Sequence, residues 1–64
     1  MTSSEKIDKT AKALIEHHGA EGAQDYCEDR VLYHDKSKEI DAANLWRAIG
    51  KAVNARIEAA SDSD

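Results

Sequence analysis

Cysteine and histidine have the widest chemical reach of the side chains in this sequence, and four of them occur: His17, His18, Cys27 and His34. Imidazole and thiolate are ligands for zinc, and together they form a base–nucleophile pair. Their spacing does not favour either use. Cys27 and His34 fall on one helical face but two turns apart, about 10.5 Å along the axis, too far for direct proton transfer. His18 ends the apolar face of the preceding segment. If the two segments are antiparallel, it falls nearer Ala23 and Cys27 than His34. A tetrahedral zinc site needs three or four converging ligands, and neither C-x-x-C nor H-E-x-x-H spacing occurs. His18, Cys27 and His34 therefore define an alternative, metal- or thiol-dependent reading. The plainer one is a small buried thiol with histidines at helix ends, where imidazolium complements the dipole. No metal, cofactor or catalytic residue is expected.

Carboxylates are plentiful: Asp25, Glu28, Asp29, Asp35, Glu39 and Asp41. A pair can do acid–base work only where the surroundings separate their pKa values. Here the spacing puts Asp25, Glu28 and Asp29 on an outward face, which predicts a solvated acidic surface. No calcium-loop spacing with its central glycine is present. The chain has little volume to enclose a pocket, so an enzyme is not expected.

Charge narrows the partners. Thirteen acidic residues against nine basic ones give a net charge of −4, the wrong sign for generic binding to nucleic acid or an anionic membrane. Arg47 and Lys51 would be the contacts of a helix-turn-helix reader. Their helix also carries Glu39, Asp41 and Glu58, and it is long for a recognition helix. No apolar run approaches membrane-spanning length, and Met1 to Thr10 contain no signal core. The expected setting is cytoplasmic.

The remaining candidates are side chains that bind rather than react. Tyr26, Arg30 and Tyr33 form a stripe beside the Ala23–Cys27–Val31–His34 face, and tyrosine and arginine are enriched in binding hot spots. Leu32 and Ile40 fall outside the main apolar stripes. They either meet across a corner or form an exposed patch that a second molecule covers. These five residues, Tyr26, Arg30, Leu32, Tyr33 and Ile40, are the expected protein interface.

Three helices are predicted to position them, over 3–18, 21–35 and 38–60, with a frayed tail at 61–64. In the first, Thr2 and Glu5 have capping-box spacing, Ile7, Ala11, Leu14, Ile15 and His18 form the apolar face, and Gly19 suits the left-handed residue that closes a helix. Glu5–Lys9, Asp8–Lys12 and Lys12–Glu16 are spaced to support its exposed side. Asp35-Lys36-Ser37-Lys38 reads as a turn, with Ser37 as the N-cap of the third helix. There Ala42, Trp46, Ile49, Val53, Ile57 and Ala60 recur at helical steps. Gly50, which costs about 1 kcal/mol relative to alanine in a helix, implies close approach of a neighbour.

The stretch Leu14-Ile15-Glu16-His17-His18-Gly19 and the later Trp46, Ile49 and Val53 carry a resemblance. They look like a group of short bacterial proteins with an "LI..HG" helix end and a "W..I..AI" later helix. That group has no established activity, so the resemblance implies a small all-helical protein and transfers no site residues. Gly50 and Val53 depart from the apolar Ala-Ile of that pattern.

Together these features predict one domain over residues 1–64: an all-α three-helix bundle with antiparallel neighbours and the longest helix last. With sixty-four residues the core is thin, and one cysteine leaves no internal disulfide. Self-association as a homodimer is the remaining support. The predicted function is a non-enzymatic protein-interaction or regulatory module.

Overall fold

The computed structural model describes residues 4–61. Thr2 of the expected capping box and the tail at 62–64 lie outside the described residues. Among the described residues there are two helices: α1 spans Ser4–Lys36 and α2 spans Ile40–Ser61. The expected three-helix bundle is therefore corrected to a helical hairpin whose first limb is bent.

The reason lies at Gly19. Its φ of 77° and ψ of 173° are non-helical, so the glycine does break the helix. The break occupies one residue, however, and helix continues from Ala20 without an intervening loop. What reads as the end of one helix and the start of another is a kink inside α1. Its conformation also differs from a closing glycine: the left-handed helix has ψ near +47°, whereas Gly19 is extended at positive φ, a region essentially restricted to glycine. A straight helix of 33 residues would be about 50 Å long; the molecule's longest dimension is 41 Å. Just past the bend, Gly22 leaves room for His18, since a Cβ there would meet the His18 Cβ at 3.0 Å.

The kink lets both arms of α1 share one core with α2. Ala11 from the first arm, Ala23 and Cys27 from the second, and Ile49 and Val53 from α2 form a single buried cluster. Ile7, Leu14, Ile15, Leu45, Trp46, Ala52 and Ile57 pack around it. The predicted stripe on α2 is met at Ile49 and Val53, while Trp46 and Ile57 are half-buried and Ala60 is exposed. Ala43, rather than Ala42, is the fully buried alanine. Gly50 does face α1, yet a Cβ there would lie 3.6 Å from the Cys27 Cβ, an ordinary contact. The close approach is real, but it does not require glycine. None of the three predicted i,i+4 charge pairs of the first arm closes to ion-pair distance.

The corner at residues 37–39 is a Schellman closure. The Glu39 N–H donates to the His34 carbonyl at 2.8 Å and the Lys38 N–H to the Asp35 carbonyl at 3.1 Å, the paired bonds of that motif. Lys38 takes the left-handed position, with φ of 61°. The Glu39 carbonyl then accepts the Ala43 N–H at 2.9 Å, so Glu39, and not Ser37, is the N-cap of α2. Ser37 belongs to the end of α1, because the closure consumes two more residues before a new helix can start. A β-carbon in left-handed geometry costs about 1–2 kcal/mol, part of which glycine would return as backbone entropy. Lys38→Gly should therefore raise the melting temperature by a few degrees, at ~4–8 °C per kcal/mol for a domain of this size. Thermal unfolding followed by circular dichroism checks this; a lower melting temperature would contradict the strain argument.

Candidate functional site

The outer face of the second arm of α1 carries a connected row of rings and one cation. The His18 ring stacks on Tyr26, with centroids 5.2 Å apart and planes within 17°. The edge of one ring meets the other between Tyr26 and Trp46 at 5.5 Å, which ties α1 to α2. The Arg30 guanidinium lies 5.3 Å from the Tyr26 ring centre and 6.0 Å from that of Tyr33. Tyr33 in turn meets the His34 ring edge-on at 5.2 Å. Such aromatic pairs contribute about 0.5–1.5 kcal/mol beyond their buried area, and an exposed cation over a ring about 0.5–1 kcal/mol. The row therefore biases the rotamers of Tyr26, Arg30 and Tyr33.

The expected interface residues divide by burial. Tyr26 and Arg30 are half-buried. Leu32, Tyr33 and Ile40 are 54%, 57% and 68% exposed, so Leu32 and Ile40 stay largely open to solvent instead of burying each other across the corner. The helical spacing that separates Leu32 from Tyr33 by about 100° places them on adjoining outer faces.

His18, Cys27 and His34 are not brought together. His18 belongs to the Tyr26 stack. His34 turns toward the corner, its Nδ1 3.3 Å from the Glu39 Oε1, where the pair adds a side-chain link across the Schellman closure. Cys27 is a free, buried thiol. Burial pushes its pKa up, away from the thiolate form that attacks or ligates. Among the described residues, no group of three or more His, Cys, Asp or Glu side chains is placed to hold a metal ion. The acidic residues Asp25, Glu28, Asp29, Asp35, Glu39 and Asp41 are all exposed, as expected.

Two open concavities flank the core. One, of about 540 Å³, lies between Ile15 and Ile57, with Lys12, Glu16 and Arg56 at its edge; its charges are mixed and exposed. The other, of about 450 Å³, is a groove between the second arm of α1 and α2, with Cys27, Val31, Trp46 and Gly50 along it. Tyr26 and Glu28 flank Cys27 on opposite sides of the helix, so this groove opens away from the tyrosine row. Asp25 and Glu28 line its α1 edge, and Arg47 and Lys51 its α2 edge. The Gln24 Nε2 donates to the Asn54 Oδ1 at 2.9 Å, linking the two helices.

Several of these features lie beyond the periodicity of the sequence. The His18–Tyr26 stack depends on the kink geometry and leaves no local sequence signal. Gly22 has one, its spacing of three from Gly19. Glu39 has another, since it precedes a helical run and carries an oxygen that can reach back across a turn.

No helix among the described residues is long and apolar enough to cross a membrane. No family model, curated protein or solved structure matches the chain.

Proposed function

We propose that this chain is a small interaction protein that acts by binding rather than by catalysis, and that it self-associates. The observation that carries the reading is the exposure of Leu32, Tyr33 and Ile40 around the corner of the hairpin. A chain this short has few large apolar side chains, and leaving three of them in water at one end forgoes the stabilisation their burial would give, which points to a partner that covers them. Arg30, near both tyrosine rings, supplies a cation whose rotamer is already biased before binding. Tyr26, Arg30, Leu32, Tyr33 and Ile40 form the contact surface for a protein partner.

The test is a triple variant, Leu32→Ala, Tyr33→Ala and Ile40→Ala. These side chains are outside the core, so the helical circular dichroism spectrum should be retained. Affinity capture from the cells that make the protein should return a partner with the unaltered chain and lose it with the variant. Identical capture by the two would remove the corner from the contact surface.

A further inference from the structure

We propose that the face around the groove between the second arm of α1 and α2 is a self-association face, packed against the same face of a second copy about a two-fold axis running parallel to the helices. This rests on the self-association in the reading above and adds its face and symmetry.

Charge carries the argument. The α1 edge of the groove is acidic, through Asp25 and Glu28, and the α2 edge is basic, through Arg47 and Lys51. All four are exposed. Within the described residues the side chains of Asp25, Glu28 and Lys51 make no hydrogen bond or ion pair, and Arg47 bonds only the neutral Asn44, at 3.0 Å. The two edges run antiparallel in a register fixed by Cys27 beside Gly50 and by the Gln24–Asn54 bond. That register sets Asp25 and Glu28 at the same level as Lys51 and Arg47.

A second copy can lie face to face on this groove with its two-fold axis either along the helices or across them. An axis across the helices stacks acid on acid and base on base, which opposes association. An axis along them lays the acidic edge of each copy over the basic edge of the other at matching height. Each copy then supplies the complement the other lacks, and an isologous pair closes without leaving an unused half. Val31 and Trp46, both half-buried, become the apolar centre inside a charged rim, the usual anatomy of an interface.

The test uses the full chain and two charge variants. One carries Asp25→Lys and Glu28→Lys, making both edges basic; the other carries Arg47→Glu and Lys51→Glu, making both acidic. Circular dichroism verifies that each is helical. Sedimentation equilibrium should show the unaltered chain dimerising, each variant alone with its dimer Kd raised at least about tenfold, and the two variants recombining one-to-one when mixed. A dimer that persists in both variants overturns the groove assignment while leaving self-association standing. Variants that weaken without recombining overturn the two-fold arrangement. A monomer at every concentration overturns this proposal and the self-association reading, but not partner binding at the corner. An independent readout needs no variant: Trp46 emission of the unaltered chain should shift to the blue as concentration rises, and an unchanged emission maximum across the same range counts against burial of the groove.

Discussion

Gly19→Ala should be the most damaging single-methyl change in the chain. Nothing lies within 4 Å of where its Cβ would sit, so the methyl group meets no steric obstacle, and the whole effect lies in the backbone. At φ 77° and ψ 173° an L-residue is strained by about 1–3 kcal/mol. The protein has two ways to respond. It can keep the kink and bear the strain, or straighten α1 and withdraw Ala11 and its neighbours from Val53. The second is no cheaper, because the core joins both arms. Against a total stability of about 3–10 kcal/mol for a chain of this length, either route lowers the melting temperature by roughly 5–20 °C. Chemical synthesis offers the decisive control. A D-alanine at position 19 finds this conformation in its own favoured extended region and restricts the unfolded chain, so it should melt at or above the native temperature. If the L and D forms melt alike, the kink does not depend on the glycine's backbone.

How much of this was legible in the sequence depended on the range of the interaction. Periodicity located both helical faces: Ala11, Ala23, Cys27, Ile49 and Val53 fall on predicted stripes and are the buried cluster. The turn near Ser37 was visible as a polar run. Its motif was not, because a Schellman closure with lysine in the left-handed position lacks the glycine that normally advertises it. Gly19 is a break, as its composition suggests, but a bend within α1 and not a terminus. A glycine that ends a helix and one that bends it have the same local composition, and only the absence of loop residues between Gly19 and the next helical stretch separates the two. The candidate surface was partly legible as well. Tyr26, Arg30 and Tyr33 share a face by spacing alone, whereas the stack of His18 on Tyr26 and the opposed charges along the groove follow from the kink and the antiparallel register.

The second large effect lies in α2, and it revises which residue holds the hairpin together. Trp46 is the only tryptophan, and the stripe suggests it as the hub. It is half-buried, packed against the core cluster, ring to ring with Tyr26 and along the groove. Ile49 and Val53, at 4% and 0% exposed, sit where α2 meets both arms of α1. Truncating a buried isoleucine to alanine costs about 2–5 kcal/mol, through lost transfer energy and the cavity left behind. The lower half of that range applies here, because two facing side chains, Ala11 and Ala23, are too small to hold a rigid void open. Ile49→Ala should thus lower the melting temperature by roughly 10–20 °C, and Val53→Ala by somewhat less, since fewer atoms are removed. Leu32→Ala, at a side chain already 54% exposed, should change it by about 0.5 kcal/mol or less. Thermal melts of the three variants at one fixed concentration provide the comparison, because the proposed dimerisation would make the melting temperature concentration-dependent. If Leu32→Ala proves as harmful as Ile49→Ala, then Leu32 is buried in solution. The face that covers it would then have to be a second molecule contributing to stability as well as to recognition.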